Sequence, residues 1–204
     1  MAVFAALALL VGGAAGYLFG RPTHPGDASV DAGFARDMST HHSQGVDMAM
    51  TMYPATSDPD LRQVALDIGL TQQGQIGMFQ AWLEDWGLSP TGSQPPMAWM
   101  AGHDHGSASS QSMKLRPDGL MPGMATPAQI QQLRQSTGKA KEILFCQLMI
   151  RHHRAGVAMA EMAASRATEP EVRRVAQTIV DGQTYEIQVL TAMLAKRGTP
   201  PPTG

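Results

Sequence analysis

The feature that most restricts what this chain can fold into is a repeat: shifted by 111 residues, the sequence aligns with itself without a gap. Phe34 falls on Phe145, Met38 on Met149, and His41-His42 on His152-His153. Gly45-Val46, Met48-Ala49, Asp58-Pro59 and Arg62 then fall on Gly156-Val157, Met159-Ala160, Glu169-Pro170 and Arg173. The match continues through Val64-Ala65, Ile68, Gln72, Ile76, Leu83 and Gly87, which meet Val175-Ala176, Ile179, Gln183, Ile187, Leu194 and Gly198.

Each copy reads as two helices. In the first copy one helix runs from about Asp31 to Tyr53, a turn follows at Pro54 to Asp58, and a second helix begins near Pro59 and ends at Gly87. Ser57 with Asp60, and Thr168 with Glu171, carry capping patterns at equivalent places. Val64, Ile68, Ile76, Phe79 and Leu83, like Val175, Ile179, Ile187, Leu190 and Leu194, keep helical spacing, and no stretch alternates as a strand does. A lone hairpin cannot cover its own apolar stripe, whereas two hairpins about a pseudo-two-fold axis close a four-helix bundle.

The expected fold is therefore all-α: a four-helix bundle of two repeated hairpins, residues 33–88 and 126–198, the second led by a short helix from Thr126-Pro127 to near Gly138. Residues 21–32 read as a linker, 89–125 as a Met/His-containing linker rich in Gly, Ser and Pro, and 199–204 as a tail. Ala2 to Phe19 is apolar and uncharged, so residues 1–20 read as a signal peptide or signal anchor. That reading predicts membrane contact through this segment and a secreted, periplasmic or otherwise extracytoplasmic working region.

Composition removes several classes of function. A net charge of -2, with acids and bases mixed, leaves no footprint for nucleic acid. The single Cys146 permits neither an internal disulfide nor a thiolate zinc site. A di-iron bundle needs Glu-x-x-His on two helices and a Glu on each of the others, and no Glu-x-x-His is present. No Ser-His-Asp spacing or phosphate loop stands out, so the expectation is not an enzyme.

What remains is sulfur and imidazole, with Met numbering 15 against five Phe, three Tyr and three Trp. At 3.6 residues per turn Met38, His41, His42, Gly45, Met48 and Met52 share one broad helix face, as do Met149, His152, His153, Gly156 and Met159. Adjacent histidines point about 100° apart on a helix, so the two members of a pair are not expected to bind one ion in the same way; the expected ordering has His41 and His152 facing each other more directly than His42 and His153. Mid-helix Gly45 and Gly156, each costing about 1 kcal/mol relative to Ala, imply close helix approach or room for a ligand.

The candidate metal ligands are thus Met38, His41, His42, Met48, Met149, His152, His153 and Met159, with Met97, Met100, His103 and His105 as auxiliary ligands in the linker. Thioether plus imidazole suits Cu(I), and zinc is the alternative if imidazole dominates and Met only packs.

The segments Asp37-Met38-Ser39-Thr40-His41-His42-Ser43-Gln44-Gly45-Val46-Asp47-Met48-Ala49 and Met149-Ile150-Arg151-His152-His153-Arg154-Ala155-Gly156-Val157-Ala158-Met159-Ala160 resemble the bacterial family catalogued as domain of unknown function 305. Met121-Pro122-Gly123-Met124 before Thr126-Pro127 is similar to that family's lead-in to its second half, and the resemblance spans roughly residues 33 to 198. Lys141-Glu142 departs from the Phe-Asp often found there, keeping the acid and losing the aromatic.

The resemblance implies a ferritin-like fold and an exported protein, with some members linked to copper binding and tolerance through Met and His. It implies no established enzyme activity. Copper buffering, sequestration or tolerance, with the metal ion as the partner, is the resulting expectation. The alternatives are a cell-envelope helical interaction module without metal, and a zinc-binding or metal-dependent redox bundle.

Overall fold

The structure, a computed structural model, describes residues 24–101 and 114–203. Residues 1–20, expected to be the signal or anchor, and His103 and His105 lie outside the described residues. Among the described residues no helix is long and apolar enough to cross a membrane.

Five α-helices and no strand are found among them: α1 (Val30–Met52), α2 (Pro59–Asp85), α3 (Pro127–Gln135), α4 (Gly138–Arg166) and α5 (Pro170–Lys196). A single 3-10 turn, Ala98–Met100, precedes α3. The four long helices form a ferritin-like four-helix bundle made of two hairpins. Each pairs internally, α1 with α2 and α4 with α5, and the hairpins join along α1 and α4.

The helix ends follow from local chemistry and repeat with the sequence. Pro59 and Pro170 occupy the first turns of α2 and α5, where a missing N–H costs nothing. Gly87 and Gly198 adopt left-handed φ of 67° and 71°. That conformation closes equivalent Schellman turns, with Leu88 N–H donating to Leu83 O and Thr199 N–H to Leu194 O. The caps at the other ends sit one residue later than the sequence pattern suggested. Asp58, not Ser57, accepts the N–H groups of Asp60 and Leu61, and Glu169, not Thr168, is the capping position of α5.

Thr168 is diverted because its hydroxyl and N–H, with the N–H of Glu169, all donate to the fully buried carboxylate of Asp31. Its repeat equivalent, Glu142, holds the other hairpin's turn: it accepts from the Thr56 hydroxyl and from Arg197, which also bonds Asp58. An acid at the start of each hairpin thus grips the turn of the other. Glu142 is the acid retained where Lys141-Glu142 stands in place of Phe-Asp.

Two apolar cores lie at opposite ends of the bundle. One gathers Phe34 and Met38 of α1, Phe79 and Leu83 of α2, Met159 and Ala163 of α4, and Val172 to Ile179 of α5. The other gathers Met48 and Met52, Leu61 to Ile68, Phe145 to Ile150, and Leu190 to Leu194. The first half of α1 therefore packs with the last half of α4, and the reverse, so the two-fold relation runs through the middle of both helices.

Part of the segment read as a linker also folds onto the first core. Trp99 inserts against α1, with its ring edge-to-face to Phe34 at 6.0 Å. The indole N–H and the Met97 N–H both donate to the buried Asp37 carboxylate at 2.7 Å. Gly33 makes the space, since a Cβ there would lie 2.4 Å from the Trp99 ring.

Candidate metal centre

Between the two cores lies a polar layer. His41, His42, His152 and His153 are all fully buried, and Gln72 and Gln183 are nearly so. The His41 and His152 rings stack at 3.8 Å between centroids with 24° between planes. The outer two rings turn away from this pair, His42 toward α2 and His153 toward α5.

The ring nitrogens fall into a consistent pattern. His152 Nε2 donates to His41 O at 2.9 Å, His42 Nε2 to Gln75 Oε1 at 2.7 Å, and His153 Nε2 to Glu186 Oε2 at 2.7 Å. A carbonyl, amide oxygen or carboxylate can only accept, so each of these three Nε2 atoms carries a proton, and wherever the ring is neutral its lone pair lies on Nδ1. None of the four Nδ1 atoms has a partner, and His41 lacks one at Nε2 as well. Ligating imidazoles characteristically hand one N–H to an acceptor and leave the other nitrogen bare for the ion. An orphaned buried nitrogen is otherwise costly and rare.

Burial keeps three of these rings, His41, His42 and His152, in the neutral state that can ligate a metal. Burial pushes the His41 imidazole down to about 4, with the Pro122 backbone opposing the effect and His153 adding to it. Burial, reinforced by His41, pushes His42 down to about 3, while burial and His41 hold His152 well below its ordinary value. Protons therefore bind these rings more readily in the unfolded chain than in the folded one. The metal-free protein is expected to hold full stability above pH 6.5 and to lose it as the pH falls toward 4. His41 alone accounts for a loss on the order of 3 kcal/mol, which urea melts at pH 7 and pH 4.5 would measure.

The glycines are explained by the glutamines. A Cβ on Gly45 would lie 2.1 Å from Gln72 Oε1, and one on Gly156 would lie 2.3 Å from Gln183 Oε1. Both amides are buried with neither oxygen nor nitrogen bonded. Gln72, Gln75, Gln183 and Glu186 were not among the sequence-derived candidates. The signal for the outer pair was available in the spacing, since each follows its histidine by 33 residues in both copies.

The four candidate methionines beside the histidines are fully buried, but they group across the repeats. Met38 and Met159 belong to one core, and Met48 and Met149 to the other. Each side of the histidine layer thus receives one thioether from each hairpin. Of the auxiliary candidates, Met97 is buried in the first core and Met100 packs against it, held there by the Trp99 anchor. Among the described residues no three His, Cys, Asp or Glu side chains converge as a metal cluster. The candidate thioethers lie in the apolar cores on either side of the imidazoles, and the buried amides of Gln72 and Gln183 lie in the polar layer itself.

A strap closes the layer on one side. Gly123, at φ 75°, lies so close to α4 that a Cβ would meet Ala155 Cβ and Arg151 O, each at 2.6 Å. Gln44 fixes the strap's end by accepting from Ala125 N–H and donating to Ala125 O. Beside it runs a groove of about 450 Å³ lined by Pro122, Met124, Arg116, Arg151 and Arg154.

With this geometry in hand, likeness to known proteins can be stated. Residues 31–194 match the family model described as Domain of unknown function (DUF305). A Streptomyces coelicolor DUF305 protein, presented as a candidate secreted protein, is 38% identical with a TM-score of 0.76, over 88% of this chain and 100% of that one. A DUF305 fragment from Deinococcus radiodurans is 30% identical with a TM-score of 0.64, over 86% and 99%. CopM in its Cu(I)-bound form shares the fold at 20% identity and a TM-score of 0.59, over 81% and 96%. No curated protein matches the chain.

Proposed function

The chain belongs to the domain of unknown function 305 family, and from that premise we propose that it binds copper, chiefly Cu(I), outside the cytoplasm and buffers or sequesters it. The observation that carries this reading is the set of four buried imidazoles with unpartnered Nδ1 atoms. Neutral imidazole beside thioether is a soft donor set, matched to Cu(I) better than to hard ions. CopM, similar in fold, has been solved with Cu(I), Cu(II) and Ag bound. The Streptomyces coelicolor relative supports an exported location.

The proposed ligands are drawn from His41, His42, His152 and His153, with Met38 and Met159 on one side and Met48 and Met149 on the other. The two hairpins act as one unit, since each side takes donors from both. Met97 and Met100 enter as packing. His103 and His105 supply auxiliary donors. Buried, preorganised donors suit retention of the ion, because the cost of ordering them is met on folding.

Cu(I) at a hundred times its dissociation constant is expected to stabilise the protein by about 2.7 kcal/mol, raising the melting temperature by roughly 5–10 °C. Competition with a Cu(I) chelator, on wild type and on a His41→Ala/His152→Ala variant, tests the assignment. Equal affinities would remove this pair from the centre.

A further inference from the structure

The histidines, the mid-helix glycines and the inner glutamines repeat in both halves of the centre, and the side chain behind the outer imidazole does not. Gln72 answers to Gln183, Gly45 to Gly156, and each outer imidazole is oriented by a side chain from the helix behind it. For His42 that side chain is the neutral amide of Gln75, and for His153 it is the carboxylate of Glu186, both at 2.7 Å from Nε2. Among the described residues no Lys or Arg is ion-paired with Glu186; its recorded partner is His153.

We infer that Glu186 makes the two halves unequal: the His153 side is the tighter metal position, and its advantage is larger for a divalent than for a monovalent ion. The inference rests on the copper-binding reading given above. A carboxylate draws harder on the Nε2–H than an amide oxygen does, and the charge-assisted bond raises electron density at Nδ1. The carboxylate also attracts a cation held across the ring, twice as strongly for charge +2 as for +1. Salt screens that attraction little in a site whose imidazole is fully buried. Glu186 is thus a positioning and selectivity residue acting through His153, and Gln75 is its neutral counterpart. Duplication has given two similar metal positions, and one substitution has set them apart.

The experiment compares wild type, Glu186→Gln, Gln75→Glu and the exchanged double variant, with Cu(I) under argon and Cu(II) in air, each against a competing chelator. These changes alter charge with almost no change of volume, and Glu186 reaches solvent at 22% exposure, so the fold is expected to persist. Glu186→Gln should weaken the tighter equivalent by about 10–100-fold, more for Cu(II) than for Cu(I). Gln75→Glu should tighten the weaker one, and the exchanged double should restore both affinities. A merely structural residue would not be rescued by moving its charge to the other repeat.

A second readout needs no variant. In metal-free wild type the Nε2–H proton of His153 should resonate downfield of that of His42, and the order should reverse in the exchanged double. Binding that Glu186→Gln leaves within about twofold for both ions, or identical ring-proton shifts, overturns this inference alone. A wild type that takes up no copper overturns the underlying reading as well.

Discussion

Leucine in place of His41 is expected to make the metal-free protein more stable, by about 1–3 kcal/mol, while weakening Cu(I) binding. Most point substitutions destabilise, by about 0.5–3 kcal/mol, so the sign itself is diagnostic. His41 is fully buried, neither ring nitrogen has a hydrogen-bond partner, and the Pro122 backbone offsets only part of the desolvation cost. Leucine has similar bulk, needs no partners, and would lie against the His152 ring that now stacks on His41. A protein that kept an orphaned imidazole only for packing would gain by losing it; a metal-binding one gains stability and loses its ion. Leucine at His153 should do the reverse in metal-free protein, because it strips the Glu186 carboxylate of its partner. Denaturant melts of the two variants without metal test the pair of signs. A His41→Leu variant less stable than wild type would mean that unseen partners satisfy the ring.

Alanine at Asp31 is expected to cost about 3 kcal/mol, since each hydrogen bond to a charged group contributes about 1.5–3 kcal/mol before solvent recovers part of it. Asp31 is fully buried at the start of α1 and accepts three hydrogen bonds from Thr168 and Glu169, at 2.9 to 3.1 Å. Its loss would free the turn between α4 and α5 and leave a cavity beside the first core. Asparagine can keep some of these acceptor contacts, so Asp31→Asn should lose less. Both are read from the midpoint of urea unfolding at unchanged slope. A loss below about 0.5 kcal/mol, the range of ordinary surface changes, would show that the hairpins do not need this grip.

The contrast between Asp31 and His41 also marks how far the residues could be read without coordinates. The duplicated hairpins were legible because Pro59 with Pro170, and Gly87 with Gly198, punctuate the chain at one offset through local backbone chemistry. Helix geometry dictates that the two histidines of a pair diverge, whereas the packing of the hairpins is what sets His41 against His152. Contacts that depend on how one hairpin meets the other were not legible. Asp31 and Glu142 grip turns more than 80 residues away in sequence, and no local pattern encodes that reach. The same contacts draw Thr168 away from its capping pattern.

The methionines were assigned by repeat because they share a helix face. The antiparallel meeting of α1 and α4 instead sets Met38 beside the second repeat's Met159. Trp99 looked like part of a solvated linker because its anchor, the gap left by Gly33, is visible only when the two are packed.

The central claim is that buried neutral imidazoles present bare Nδ1 atoms to a soft metal ion. Nitrogen-15 NMR of the histidine rings, first without metal and then with Ag(I) as a redox-inert stand-in for Cu(I), tests it directly. Protons are expected on Nε2 of His42, His152 and His153 in both states, with the Nδ1 resonances moving when the ion is added. Protons found on Nδ1, or four rings left unmoved by saturating metal, would contradict it.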